Sequence, residues 1–355
     1  MTRVRDRMAE VGVDVLLLSV GADLPWLTGY EALATERLTM LVLPRDGDAT
    51  LVVPYLEAAR VEEQPAAFSI APWDETDDPI AVVARLSGAA TTAAVGDHTW
   101  ARFLLDLQRA LPRTSFRKGS EITAPLRAVK DASELDALRD AAAAVDGIVV
   151  EMRQRPFEGR TENAVHRELV QRMLDAGHER ANFAIVGSGP NGASPHHEAG
   201  GRVIEAGDVV VCDFGGSMRH YCSDITRLFV VGDVSAEVRD TYEVLFGAQE
   251  QAVRSATVGT PCEEVDAVAR RIIADAGFGD RFIHRTGHGI GVETHEDPYI
   301  VAGNTTPLAS GNAFSVEPGI YLPGRFGLRL EDIVVATADG PERLNHAPRD
   351  LAVVD

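Results

Sequence analysis

The residues best suited to chemistry fall between positions 196 and 331. Asp213 and Asp224 stand eleven residues apart in DFGGSMRHYCSD, each at the edge of an apolar, strand-like run. Gly215-Gly216 between them suggests a turn that folds two strands back and sets both carboxylates side by side; a solvated hairpin is the plainer alternative. His284, His288 and His295 follow within HRTGHGIGVETHEDP. A lone histidine is usually structural, but three of them laced with glycines, which let backbone approach a ligand closely, point to a site. Glu317 ends an apolar alternation in SVEPGIY, and Arg329 and Glu331 lie two apart in GLRLED. On a strand those two share a face. There a guanidinium can orient a carboxylate, unless the two are only a surface ion pair of little value.

Two Asp, two Glu and one His able to converge make a donor set of mostly oxygen. Such a set suits a hard divalent ion such as Mn²⁺ better than a cysteine-rich zinc site does. Asp213, Asp224, Glu317 and Glu331 together carry −4, which two divalent cations would neutralise, whereas four unpaired carboxylates would repel strongly. Charge balance therefore favours two ions over one. Two ions about 3.5–4 Å apart can share a water, lower its pKa and polarise a carbonyl. That is hydrolytic chemistry.

The elements that must hold these residues can be read from texture. The chain has 355 residues, 45% hydrophobic and 25% charged, the balance of a soluble globule long enough for two domains. Residues 13–20, 38–44, 49–54 and 93–97 read as strands, with a turn-like cluster at 45–48 and a helix over 99–111. This is a compact α/β unit without clustered acids, histidines or a phosphate loop. Around residues 125–133 the texture changes. A long Ala-rich helix runs over 132–152, and a second over 161–176 with Thr161 as N-cap and Gly177 as the stop. Beyond 182 the chain is β-rich, with runs at 208–214, 225–231 and 327–336 interrupted by helices at 236–255 and 261–276. The expected organisation is an N-terminal α/β domain over 1–125 and a larger α+β domain over 126–355.

Composition also excludes. Asp plus Glu number 54 against 34 Lys plus Arg, a net charge of −20, which argues against nucleic acid and anionic membranes as partners. The three cysteines, Cys212, Cys222 and Cys262, form neither a disulfide framework nor a C-x-x-C pair. No apolar run approaches the roughly 18 residues of a membrane span, and the charged N-terminus lacks a signal-peptide core. The expected compartment is the cytoplasm. Gly187–Gly192 fits G-x-G-x-x-G, but Pro190 interrupts it and no helix is expected to follow, so a dinucleotide fingerprint is rejected.

The ordered set DFGG…YCSDITR, HRTGHGIG…HEDP, SVEPGIY and GLRLED resembles the pita-bread metallopeptidases, in the branch of prolidase and aminopeptidase P. YEALATER and LVVPYLE resemble that branch's N-terminal segments, and RAVKD resembles its interdomain linker. The resemblance implies a creatinase/prolidase-type α/β N-terminal domain followed by an α+β pita-bread catalytic domain. It implies five metal ligands: Asp213 on one ion, Asp224 and Glu331 bridging both, and His288 and Glu317 completing the second. It further implies His196 as a substrate-side histidine, His295 as the group steadying the tetrahedral intermediate, Arg329 beside the last ligand, and Glu317 as the proton acceptor for the water. The implied cofactors are two divalent metal ions, manganese foremost, with cobalt or zinc as alternatives; no organic cofactor is implied. The implied reaction is attack of metal-bound hydroxide on the bond before proline in an Xaa-Pro dipeptide, carried out by a homodimer. The alternatives are an aminopeptidase acting on longer peptides, and, further off, a lyase or inactive binding member of the same fold. One departure bears on substrate length. Some prolidases carry an arginine shortly after HE-x-P that captures the dipeptide's carboxylate, and this chain has Tyr299 there.

Overall fold

The computed structural model describes residues 1–62 and 64–355. The chain divides into two compact units, Met1–Arg127 and Ala128–Asp355. The first is built on one mixed sheet of β1 (Val15–Leu18), β2 (Met40–Pro44), β3 (Thr50–Pro54), β4 (Ser69–Trp73), β5 (Thr92–Val95) and β6 (Ser115–Lys118). Their order is β4-β3-β2-β1-β5-β6, with β1 antiparallel to β2 and parallel to β5. β1 reads Val-Leu-Leu-Leu because both of its faces are covered, as expected of a central strand. Leu16 and Leu18 pack into one apolar cluster and Val15 and Leu17 into another.

In the second unit, Asp131 caps the helix Ala132–Met152 in a reciprocal capping box with Glu134. Thr161 caps the helix Glu162–Asp175 by accepting from the Ala164 amide. Then come β7 (Arg180–Ser188), β8 (Val209–Met218), the short β9 (Tyr221–Cys222) and β10 (Ile225–Val231). The helices Ala236–Ser255 and Cys262–Asp275 separate these from β11 (Gly287–Gly289), β12 (Glu296–Ile300), β13 (Ala313–Val316), β14 (Gly319–Leu322), β15 (Phe326–Arg329), β16 (Asp332–Thr337), β17 (Gly340–Arg343) and β18 (Ala352–Val354). One sheet has the order β18-β10-β8-β7, a second β12-β11-β13-β16-β17, and β14 with β15 forms a separate hairpin.

The period of two in β8 and β10 sorts their side chains between two cores. Val210, Cys212, Phe214 and Phe229 join the helices Ala132–Met152 and Glu162–Asp175 on one face. Val209, Val211, Leu228 and Val230 join the later helices and the second sheet on the other. Continuing that alternation, Asp213 and Thr226 belong to the second face, and they are direct cross-strand partners. Among the described residues, no helix is long and apolar enough to cross a membrane.

Two local expectations are corrected. Gly215-Gly216 is not the turn; both lie inside β8, and the chain reverses at Arg219 and His220, which adopt positive φ of 52° and 67°. Glycine is needed at 215 for close approach, since a Cβ there would sit 2.1 Å from the Ser223 carbonyl oxygen. The apolar run 327–336 is likewise not one strand. It breaks between Arg329, which ends β15, and Asp332, which begins β16, and the two strands belong to different sheets. The break falls on Leu330-Glu331 because one carboxylate must leave the ladder there to reach the site.

Arg227, one residue from Thr226, points the other way and forms a buried polar knot. Its guanidinium reaches Asp332 Oδ1 at 2.7 Å, the Ala347 carbonyl at 3.2 Å and the Glu331 carbonyl at 2.5 Å. Gln249 Nε2 donates to Asp332 Oδ2 at 3.0 Å. Removing one partner of such a pair leaves an uncompensated charge. Arg227→Met should therefore cost about 3–5 kcal/mol in urea denaturation, and Arg227→Met with Asp332→Asn should cost clearly less. Equal losses in the single and double variants would contradict the pairing.

Candidate metal centre

Strand register assembles the site. Asp213 faces Thr226 across β8 and β10, and Asp224 precedes Thr226 by two residues. Thr226 Oγ1 donates to Glu331 Oε2 at 2.7 Å, which draws in the carboxylate from the break between β15 and β16. From the second sheet, His288 sits in β11 next to β13. Its amide donates to Ser315 Oγ at 3.0 Å, and Ser315 Oγ donates to Glu317 Oε1 at 3.0 Å. β11 can lie this close because residue 287 is glycine: a Cβ there would meet the Ser315 carbonyl oxygen at 1.8 Å.

Ligand atoms of Asp224, His288 and Glu331 all lie within 4.8 Å of one another, and all three residues are buried. His288 Nε2 is 3.8 Å from Asp224 Oδ2 and 3.2 Å from Glu317 Oε1. Arg329 pairs with Asp213 Oδ2, and also donates to Tyr321 Oη at 2.9 Å and to the Pro195 carbonyl at 3.3 Å. His284 Nε2 lies 2.8 Å from the same tyrosine oxygen. Of the five expected ligands, Asp224, His288 and Glu331 are thus grouped, Glu317 lies against His288, and Asp213 is tied to Arg329. His295 lies outside the cluster, its ring 3.9 Å from that of His288, and its side chain reaches solvent. His196 is exposed on the loop after β7, near enough for its charge to act on His295.

Two observations fit a cation here. Asp213 Oδ1 and Asp224 Oδ1 are buried and, among the described residues, lack a hydrogen-bond partner. Buried carboxylate oxygens left bare are costly. In addition, His288 Nδ1 lies 3.1 Å from the Gly289 carbonyl, which can only accept. With the proton on Nδ1, the neutral ring turns its Nε2 lone pair toward the acids, an arrangement that needs a positive ion between them. The electrostatics agree. Burial and the neighbouring carboxylates push Asp224 and Glu331 well above the usual carboxylate range. Burial also raises Asp213, against the pull of Arg329. Burial would raise Glu317 too, but where no ion is bound and His288 is protonated instead, its hydrogen bond and charge pull Glu317 down to about 2. Burial lowers His295 to about 4, helped by His288 when that ring is protonated.

Thr226, Ser315 and Tyr321 also belong to the site, although the sequence assigned them no role, and His284, counted in the histidine cluster, joins them through Tyr321. Period two from Asp224 and from Glu317 marks Thr226 and Ser315. Tyr321 carries no comparable signal. A further missed residue is Glu162, fully buried at the start of its helix. It accepts from Ser188 N and Oγ, both at 2.8 Å, from Asn191 Nδ2 at 3.0 Å and from His197 Nε2 at 2.8 Å. The G-x-G-x-x-G segment is here a 3₁₀ turn, Gly189–Ala193, held by that carboxylate and opening no α-helix. Pro195 is tied to Arg329 and His197 to Glu162, so His196 is presented from between two anchored residues.

A two-sheet α+β scaffold carrying a buried carboxylate–imidazole cluster defines a divalent-metal enzyme as the class. The profile of metallopeptidase family M24 matches residues 136–338, and that of the creatinase/prolidase N-terminal domain matches residues 1–129. The chain belongs to metallopeptidase family M24, which implies divalent metal ions. It is 42% identical over 351 residues to a probable dipeptidase PepE of Mycobacterium tuberculosis, covering 98% of this chain and 93% of that protein. It is 35% identical over 346 residues to the Xaa-Pro dipeptidase of Pyrococcus furiosus, covering 97% of each. The crystal structure of dipeptidase PepE from Mycobacterium ulcerans superimposes with a TM-score of 0.92 at 42% identity, covering 99% of this chain and 96% of that one.

Burial tends to raise Glu162, but its hydrogen bonds from Ser188, His197 and Asn191 outweigh this and hold it below its usual range. A depressed folded pKa contributes stability that is present above the unfolded value of about 4.3 and is lost as pH falls through the folded one. Glu162→Gln should therefore cost about 2 kcal/mol near neutrality, and the gap to wild type should narrow on acidification. Melting temperatures from about pH 7 to pH 3 check this; a constant gap would rule it out.

Proposed function

We propose that the protein is a dinuclear metal-dependent hydrolase that cleaves the peptide bond before proline in Xaa-Pro dipeptides. The observation that carries this reading is the buried acid cluster around Nε2 of His288, with two carboxylate oxygens lacking partners. In this reading Asp213, Asp224, His288, Glu317 and Glu331 would hold the ions. The oxygen-rich donor set favours manganese. The ions would supply Lewis-acid polarisation of the scissile carbonyl and acidify the attacking water.

The remaining steps are read from the chain's own groups. Glu317, steadied by Ser315, takes the proton from water and passes it to the proline nitrogen, a tertiary amide nitrogen that must be protonated to leave. His295, at the solvent edge of His288, donates to the oxygen that gains charge. Arg329 orients Asp213 and opposes the effect of burial on its charge, and His196 lines the substrate side. A cytoplasmic homodimer is part of the same reading. Leu33, Tyr55 and Leu56, exposed on the first unit, offer apolar surface that a second copy would cover. The second reading is an aminopeptidase acting on longer peptides, favoured by Tyr299 at a position where some prolidases have arginine.

Protein stripped with chelator should lose Xaa-Pro hydrolysis and recover it with Mn²⁺; no metal-dependent release from Xaa-Pro or Xaa-Pro-Xaa would refute the function. Asp224→Asn should lower both bound metal and turnover, the latter more than about a hundredfold, because an amide offers one good oxygen and no charge. His295→Ala should keep its metal while kcat falls about 10²–10³-fold. An emptied metal site in His295→Ala would make it a ligand instead.

A further inference from the structure

His295 must stand over His288 to act on the reaction, yet its own side chain is weakly held. Its ring lies 3.9 Å from that of His288, its Nδ1 lies 3.4 Å from Arg285 Nη2, and the side chain reaches solvent. A hydrogen bond of that length is weak, so the backbone has to set the place of the ring. That backbone is the segment 290–296, which leaves β11 and returns as β12. Burial alternates along the return: His295 and Asp297 are exposed, Glu296 and Pro298 are buried. Neighbouring side chains of an extended chain point opposite ways. The carboxylate next to the working histidine therefore points into the protein.

That carboxylate closes on a lysine. Lys130 Nζ lies 2.8 Å from Glu296 Oε1, and the two side chains are 1% and 7% exposed. Glu296 Oε2 also accepts from the Glu293 amide at 3.4 Å, and a Cβ at residue 291 would sit 2.5 Å from Oε1. Glycine at 291 thus lets the start of the loop close over the same carboxylate. Lys130 is held by its own backbone. Its amide donates to the Gly311 carbonyl at 2.9 Å, Val129 bridges to Asn312, and Asp131 caps the helix Ala132–Met152. Asn312 leads directly into β13, the strand that pairs with β11 beside His288. The lysine and His288 therefore hang from one frame, and the ion pair clamps the loop carrying His295 to it.

A buried ion pair is poorly explained by stability, since apolar residues of similar volume often serve as well or better. What it adds is a fixed geometry, and here the residue whose geometry it fixes is the neighbour of Glu296. We propose that Lys130, acting through Glu296, is a positioning residue that holds His295 over His288. The proposal rests on the peptidase reading above and adds to it a buried residue that meets neither substrate nor ion. A pair that only seated the segment entering the second unit would affect stability without selecting the work of His295.

The test compares wild type, Lys130→Met, Lys130→Arg and the pair Lys130→Met with Glu296→Gln, each Mn²⁺-loaded, on an Xaa-Pro dipeptide. Metal content and melting curves are taken for each. Lys130→Met should lower kcat about ten- to a hundredfold, with KM moving less than about threefold and bound metal unchanged. Lys130→Arg, which keeps the charge, should recover most of the loss. The paired variant removes the stranded buried carboxylate, so it should melt above Lys130→Met while kcat stays low; it also carries the test if Lys130→Met does not fold. In a His295→Ala background, Lys130→Met should cost less than about twofold further. An undiminished loss in that background, a metal-depleted Lys130→Met, or normal kcat in the folded single or paired variant overturns the proposal and leaves the peptidase reading standing. Crystal structures read the positioning without turnover. The His295 ring should leave its place over His288 in Lys130→Met or the paired variant, and an unmoved ring overturns the proposal. A wild type that cleaves no Xaa-Pro bond would sink the peptidase reading instead, and the position of the ring would still decide the role of Lys130.

Discussion

Mutual repulsion among buried carboxylates is the constraint on which the second unit is organised. Asp213, Asp224 and Glu331 are almost wholly enclosed, and Glu317 lies against His288. Burial penalises each charge, and their proximity penalises it again. Among the described residues, only the guanidinium of Arg329 pairs with a carboxylate of the cluster. A protein does not retain such an arrangement for stability, since apolar residues of similar volume would pack more favourably. The strands must therefore be rigid enough to hold the acids together against their own repulsion. Long antiparallel pairing of β8 with β10 and β7 supplies that rigidity.

The alternation of β10 carries the load further. Thr226 turns toward the acids and binds Glu331, while Arg227 turns away and binds the carbonyl of the same Glu331. Side chain and backbone of one residue are thereby gripped by consecutive positions of a neighbouring strand. The break between β15 and β16 can then expose a carboxylate without loosening either sheet, because Asp332, the next residue, is anchored by Arg227 and Gln249. Tyr321 works similarly, tying Arg329 and His284 to one oxygen.

Periodic segments were legible in the sequence and the corners were not. The helices Ala132–Met152 and Ala236–Ser255 and the strand Ile225–Val231 follow from apolar spacing and caps, because those signals are local. Gly215-Gly216 looked like a turn, since glycine serves both turns and close contacts, and only the position of the Ser223 carbonyl decides between them. The run 327–336 looked continuous because hydrophobicity does not report a change of sheet. Glu162 was invisible: its partners lie 26 to 38 residues away, and an acid at a helix start reads equally well as a favourable dipole contact on the surface. The acids, histidines and Arg329 were legible because chemistry restricts residue type where packing does not.

The same reasoning explains why charge distribution matters more than total charge. A net −20 draws in the ammonium end of a zwitterionic dipeptide and repels its carboxylate end. Orientation at the centre then needs a positive group that the protein's own acids have not already claimed. Arg329 cannot serve, because Asp213 holds it. Arg285 remains uncommitted because Tyr299, not an acid, lies beneath it. An arginine at 299 would have placed a second cation against Arg285 and removed its support. The tyrosine and the arginine therefore form one unit, the ring supporting the guanidinium from one face.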